Sequence, residues 1–282
     1  MKTASLKRAS LGWSLCLLVL VASCGINIGS CFKAKHKRTD QLSAPIEPGS
    51  TLVAETSFGS ITVRGANVAT CDVTAEITVQ APTEKEAQEI AENVKITLES
   101  IGKTLTLDVE KPKLKNNRSV GVSFDITVPE QTNLECATSF GKIKLNDIDG
   151  NVKARTGFAA IDTDDIQGSV QLETSYGRVT CRRITPTELL ARSSFGAIDI
   201  VCSPQTKPEI NADIETSFGE IDFVAPPNFS GRVELETSFG SIDTDLPLTI
   251  KGSLSEDKIK GTIGDGSGSL RLKTSFGSIN LK

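Results

Sequence analysis

A six-residue phrase recurs along this chain: T-S-F-G-S-I at Thr56 to Ile61, then T-S-F-G-K-I at Thr138 to Ile143. Later copies read T-G-F-A-A-I from Thr156, T-S-Y-G-R-V from Thr174, S-S-F-G-A-I from Ser193 and T-S-F-G-E-I from Thr216. T-S-F-G-S-I returns from Thr237 and again from Thr274. A phrase repeated at a short period marks a solenoid, in which each repeat packs only on its neighbours. From Phe140 onward the aromatic residues are spaced by 18, 18, 19, 23, 21 and 37 positions. Around each copy apolar residues alternate with period two, which is the strand signature.

Three columns are predicted to point inward. Two places after the Gly stand Ile61, Ile143, Ile161, Val179, Ile198, Ile221, Ile242 and Ile279. Two further on stand Val63, Leu145, Thr163, Cys181, Ile200, Phe223, Thr244 and Leu281. Two places before the Thr stand Ala54, Cys136, Ala154, Leu172, Ala191, Ile214, Leu235 and Leu272. Ser-Phe-Gly then forms a corner between two short strands, with Gly supplying a positive φ or a close approach. Aligned rings at Phe140, Phe158, Tyr176, Phe195, Phe218 and Phe239 are expected to form a ladder along that corner. The competing reading makes T-S-F-G a hairpin turn between antiparallel strands. The near-constant period favours the solenoid, and both readings are all-β.

The expected fold is an all-β, single-stranded β-solenoid of short coils, resembling a right-handed parallel β-helix, over residues 131–282. Residues 248–266 are an excursion within its long last repeat. Residues 49–130 form a β-rich opening segment with one helix over 83–93, where Thr83 and Glu86 make a capping box. Strands are expected at Cys71 to Val79, Lys95 to Leu98, Leu105 to Val109 and Val120 to Val128. This segment would cap the solenoid and blunt its open edge.

The N-terminus reads as a targeting segment. Lys2, Lys7 and Arg8 precede an apolar run from Leu11 to Val21, which ends in Val21-Ala22-Ser23-Cys24. This is a secretory signal over residues 1–23. It resembles the lipobox of bacterial lipoproteins, which implies lipidation at Cys24. Cys31 after Ile28-Gly29-Ser30 is the other lipidation candidate. Gly25 in place of Asp implies, by the same resemblance, sorting to the outer membrane. An uncleaved span from Leu11 to about Phe32 is the alternative, which would place the protein as a single pass in the inner membrane. On the lipoprotein reading, residues 24–48 are the lipidated start and a tether, polar and with two prolines from Thr39 to Gly49.

Composition narrows the chemistry. Without the signal's Lys2, Lys7 and Arg8, 28 basic residues face 35 acidic ones, which argues against nucleic acid. His36 is the only His, so the repeats hold no Ser-His-Asp or Cys-His machinery and no His-based metal site. Cys71, Cys136, Cys181 and Cys202 form no C-x-x-C pair. They read as buried thiols, with a Cys181–Cys202 disulfide as the alternative.

From Gly49 to Lys282 the chain resembles the bacterial adhesin-like family, a domain of unknown function with a β-solenoid fold. It is similar in style to autotransporter adhesin heads. The resemblance rests on the strand–helix–strand opening, the segment V-S-F-D-I-T-V-P from Val122 to Pro129, and the T-S-F-G-x-I coils. It implies an envelope surface role and carries over no catalytic residue and no cofactor.

Four features bear on chemistry. An Asp column follows the core Ile: Asp162, Asp199, Asp222 and Asp243. The last three, at about 4.8 Å spacing, are a weak candidate for a hard cation such as calcium. Arg155, Glu173, Arg192, Glu215, Glu236 and Lys273 form a second outward column, read as a salt ladder that alternates in its first four members. Asp162 and Asp199, with Arg178 and Arg192, are the residues a polysaccharide-active enzyme would use. Catalysis needs one singular constellation, whereas a repeat gives several equal ones. Lys111, Lys113, Lys115 and Arg118 form a basic loop that is solvated or meets an acidic glycan or lipid headgroup. The expected function is therefore a non-catalytic, envelope-anchored, adhesin-like scaffold, held at the membrane by its lipid and meeting a glycan or a cell-surface protein. The alternatives are a membrane-anchored stress or signalling accessory and a polysaccharide-active enzyme.

Overall fold

The computed structural model describes residues 34–114, 116–250 and 257–282. The expected signal segment, Cys24, Cys31 and Lys115 lie outside the described residues, as do residues 251–256 of the expected excursion.

The described residues open with β1 (Ala34–Pro45), β2 (Thr51–Thr56), β3 (Ile61–Ala66) and β4 (Thr70–Ala81). Helix α1 (Glu84–Glu92) follows, then β5 (Lys95–Ile101), β6 (Thr104–Glu110) and β7 (Ser119–Pro129). The coils begin with β8 (Asn133–Thr138), β9 (Ile143–Asp149) and β10 (Val152–Thr156). They continue through β11 (Ile161–Thr174), β12 (Val179–Ser193), β13 (Ile198–Cys202), β14 (Asn211–Thr216) and β15 (Ile221–Val224). The last elements are β16 (Gly231–Glu236), β17 (Ile242–Thr244), β18 (Thr249–Ile250), β19 (Lys258–Ile263), β20 (Gly268–Lys273) and β21 (Ile279–Leu281).

Strands before and after each corner make two parallel faces. The first runs β6, β2, β8, β10, β11, β12, β14, β20, β16. The second runs β7, β3, β9, β11, β12, β13, β15, β21, β17. The long strands β11 and β12 bend from one face into the other and fuse them. Parallel pairing of each strand with its copy in the next coil is the solenoid, and the hairpin reading falls.

Two departures from simple stacking appear. β2–β3 lies between β6–β7 and β8–β9, and β20–β21 lies between β14–β15 and β16–β17. Spatial order therefore differs from sequence order at both ends. The 37-residue spacing arises because the chain first lays an antiparallel hairpin, β18–β19, against β16 and then returns to insert β20–β21.

The inward columns fill the core. Ile61, Ile143, Ile161, Val179, Ile198, Ile221 and Ile279 are all fully buried, each contributing about 1.5 to 3 kcal/mol. Ile242 and Thr244, in the terminal coil, are only partly buried. Three residues at one position, Asp147, Asp165 and Arg183, adopt left-handed φ of 58°, 56° and 50°. They turn the second corner of their coils and let Ile148, Ile166 and Ile184 point back into the core.

At the opening end β4 pairs antiparallel with β7, and β5 with β6. Helix α1 starts where the capping box places it: the Thr83 hydroxyl accepts from Glu86 N–H at 3.3 Å. The Glu86 carboxylate is engaged by Arg118 (2.6 Å), so the basic loop at this point holds the helix. The expected tether over 39–49, and with it the boundary at 48, is corrected. Residues 34–45 form β1, which pairs with β4 along its whole length. It carries no apolar alternation because neither of its faces is fully buried. It is fixed instead by Arg38, which bonds Asp40 and donates to the Val94 carbonyl (2.8 Å) and the Ala91 carbonyl at the C-terminal end of α1. A cation there offsets the helix dipole, and the last turn of α1 has no basic residue of its own.

Cys71, Cys136, Cys181 and Cys202 are free and buried. Burial pushes each thiol from its ordinary 9.0 up to about 12. At pH 8 under native conditions these four sulfurs should resist an aromatic disulfide reagent and react only after unfolding. The unfolded chain's thiols ionise near pH 9 while the folded ones keep their protons. This contribution to stability is therefore complete below pH 9 and is lost as pH rises towards about 12. Urea midpoints measured across that range under reducing conditions check the slope.

Candidate functional site

The Ser-Phe-Gly corner is the most distinctive surface of the molecule. Its Thr or Ser is buried in seven of the eight copies, all but Thr56, and the hydroxyl ties coil to coil. Thr138 donates to the Gly59 carbonyl (3.1 Å), Thr156 to Gly141 (2.9 Å), Thr174 to Ala159 (3.1 Å) and Ser193 to Gly177 (3.2 Å). Thr216, Thr274 and Thr237 do the same to Gly196, Gly219 and Gly277, each at 2.9 Å. In three coils the same oxygen also accepts the Gly N–H of its own corner: Gly141, Gly177 and Gly196. Sequence reasoning assigned this residue no role. The available signal was that all eight copies carry a hydroxyl there, and none carries Val.

The corner glycine is set by close approach rather than by φ. Only Gly59 among the corner glycines has a positive φ (141°). A Cβ on Gly141 would lie 1.6 Å from the Gly59 carbonyl oxygen, and one on Gly196 would lie 1.8 Å from that of Gly177.

Backbone bonds then set the rings. Phe158 N–H donates to the Ser139 carbonyl (3.0 Å) and Phe195 N–H to that of Ser175 (2.9 Å), and so on along the axis. Eight rings stack in the order Phe58, Phe140, Phe158, Tyr176, Phe195, Phe218, Phe276, Phe239. Their centroids are 4.7 to 5.1 Å apart and their planes lie within 8° of parallel. That spacing is the strand spacing, so the backbone imposes it. The expected ladder is present with one correction: Phe276 stands between Phe218 and Phe239, because β20–β21 is inserted there. The seven rings from Phe58 to Phe276 are 47% to 55% exposed. Each interior ring has both faces covered, so the ridge presents ring edges, which carry the positive end of the quadrupole.

Troughs flank the ridge. One of about 640 Å³ is lined by Thr56, Ser57, Lys111, Arg155 and Phe158, among others; the next, about 370 Å³, includes Glu173, Arg192 and Glu215. The second charged column runs along them. In space its order is Arg155, Glu173, Arg192, Glu215, Lys273, Glu236, Lys258. Insertion of β20 restores an alternation that the sequence order breaks. Arg155–Glu173 (3.0 Å) and Lys273–Glu236 (3.3 Å) are ion pairs, and Arg192 reaches Asp213 at 3.6 Å. Hydrogen bonds from Lys258 and Lys273 hold the Glu236 carboxyl below its usual range. Exposed pairs of this kind add little stability each but fix register.

The Asp column does not make the expected cation site. Asp199 faces Asp222, but Asn280 stands between Asp222 and Asp243. Asp199 is paired with Arg178 (2.7 Å), Asp162 with Lys142, and Asp222 accepts the Asn280 amide (2.8 Å). Among the described residues no cluster of three acidic, Cys or His side chains is placed to hold a metal. Asp162 and Asp199 sit in coils separated by that of Thr180, each with its own cation.

The family model described as Toastrack DUF4097 matches residues 76–282. No curated protein matches the chain. Solved structures similar to it include a candidate cell adhesion protein from Clostridium sporogenes, at 16% identity and TM-score 0.40, covering 87% of this chain and 99% of that one. A candidate adhesin from Bacteroides fragilis shows 15% identity and TM-score 0.42 over 87% and 97% of the two chains. A candidate lipid binding protein from Parabacteroides distasonis shows 13% identity and TM-score 0.42 over 86% and 96%.

Proposed function

The chain belongs to the Toastrack DUF4097 family, and on that premise we propose that it is a non-catalytic, adhesin-like scaffold of the cell envelope whose aromatic corner is its binding surface. The observation that carries this reading is the line of eight stacked, half-exposed rings. A soluble monomer rarely leaves a contiguous apolar strip of this length, about seven strand spacings or 34 Å, in water without a partner. The surface is rigid, since every ring is fixed by backbone bonds, and little side-chain entropy is lost when it is covered. Ring faces are mutually covered, so stacking of sugars on them is disfavoured. A cell-surface protein with an apolar channel is the partner class that suits a ridge of edges. Lipidation at Cys24 would hold the scaffold at the membrane, with the outer membrane as the expected site.

Two measurements test this. Protease shaving of intact cells, with Cys24→Ala as the comparison, reports anchoring: lipid labelling and surface cleavage of the wild type are expected, and loss of labelling in the variant. Binding of the full chain to an array of cell-surface proteins and glycans reports the corner. The variant Phe140→Ser, Tyr176→Ser, Phe195→Ser should lose binding at least about tenfold while its strand circular dichroism is kept. Unchanged binding by that variant would remove the corner from the mechanism.

A further inference from the structure

The two ends of the stack are finished differently. At the opening end, the first face is extended by β5 and the second by β4 and β1, with α1 packed on them. Gly121 occupies the ring position of the outer coil, three places before Phe124, which pairs with Ile61. Phe58, which stacks on Phe140 alone among the described rings, is nevertheless 50% exposed, within the 47% to 55% range of the interior rings. The far end is finished on one face alone. β16 is covered by β19, and β19 by β18, but among the described residues β17 in the same coil pairs only with β21. The first face thus projects two strands beyond the second and leaves a step.

Three features of the step show a missing neighbour. Phe239 is 68% exposed, against 47% to 55% for the other seven rings, and among the described residues it stacks on Phe276 alone. Ile242 and Thr244 are partly buried, whereas the seven other members of each of their columns are buried. Asp162 and Asp199 hold cations and Asp222 an amide, but Asp243 accepts only the Ser241 hydroxyl at 3.2 Å among the described residues. Asp245 adds a second exposed carboxylate two places on.

We propose that this step is a peptide-binding site that takes an extended segment of a partner protein as an added strand on β17. This inference is independent of the corner's role as an adhesive surface. The register defines the ligand. Within every coil the ring precedes the core aliphatic residue by three places. A segment that stacks an aromatic on Phe239 and covers Ile242 therefore has the form aromatic-x-x-aliphatic and runs parallel to β17. Asp243, which has no cationic partner among the described residues, adds a requirement for a basic residue beside the aliphatic one. A second copy of this chain is disfavoured at the same place: a two-fold pairing centred on β17 sets Asp243 against Asp243. The carboxylates that repel a like edge are those that select a basic strand.

The probe is a fluorescent peptide T-S-F-G-K-I-K-L, which has the sequence of Thr138 to Leu145. Titrated with the full chain, it is expected to bind saturably, and at least about tenfold more weakly when its Phe is replaced by Ser. Asp243→Lys should weaken binding by a similar factor, and a peptide with both Lys replaced by Glu should regain it on that variant. Asp243 is exposed, so neither Asp243→Lys nor a companion Asp243→Asn perturbs the core. Three results would overturn the proposal: no saturation up to about 1 mM, equal binding to wild type and Asp243→Lys, or a concentration-dependent dimer in sedimentation that Asp243→Lys alters. The last would assign the step to a second copy.

Discussion

Gly141→Ala is expected to destabilise the fold by about 4 kcal/mol or more, read as a shift in urea or thermal unfolding. The new methyl would stand 1.6 Å from the Gly59 carbonyl oxygen, and the obstacle is the Gly59–Ser60 backbone. No rotamer change relieves it; two coils must part, and with them the Thr138 hydrogen bond and the Phe58–Phe140 stack. One coil carries alanine at this place and shows the condition for it. In T-G-F-A-A-I, Ala159 stands where the others have Gly, and the glycine has moved to Gly157. A Cβ at Gly157 would lie 2.8 Å from the Ser139 carbonyl, so the close approach has shifted along the corner. The double variant Ser139→Gly, Gly141→Ala copies that arrangement and should recover part of the lost stability. No recovery would mean that coil three relies on features outside its corner.

Ser193→Ala should cost about 2 to 5 kcal/mol, far more than deletion of an exposed hydroxyl. Its oxygen accepts from Gly196 N–H (2.8 Å) and donates to the Gly177 carbonyl (3.2 Å). Both glycines are buried, so one substitution leaves two backbone groups without partner or water. Ser193→Thr restores the residue that the other coils use and should be near neutral. The contrast between these variants, at equal burial, separates hydrogen bonding from packing; equal stability of Ala and Ser would refute the double role.

The coils were legible in sequence because one physical constraint acts at every repeat. An inward strand position selects β-branched or apolar residues, and a backbone contact at the corner selects Gly, so both columns print the same letters many times. The aromatic column was legible for the same reason. The order of the last rings was not. Phe239 and Phe276 carry the same phrase, and nothing local states which of them meets Phe218. That choice depends on where the excursion folds back, a long-range event without a short-range mark. The Asp column failed on the same point, since Asn280 enters it from the inserted coil. Edge pairing and one Arg on a helix end leave no hydrophobic period in β1, so its sequence has the pattern of a tether. The Thr hydroxyl leaves no such mark, because Thr at a corner is ordinary turn chemistry and its second partner lies in another coil.

The insertion of β20–β21 between coils that precede it in sequence has a consequence for biosynthesis. The chain leaves the ribosome from its N-terminus, so β16–β17 emerges before the coil on which it finally rests. Until residues 268–281 follow, β14 and β15 lack their outer neighbours, and the terminal coil has no seat. Residues 268–281 thus act as a keystone: until they are in place the stack cannot close.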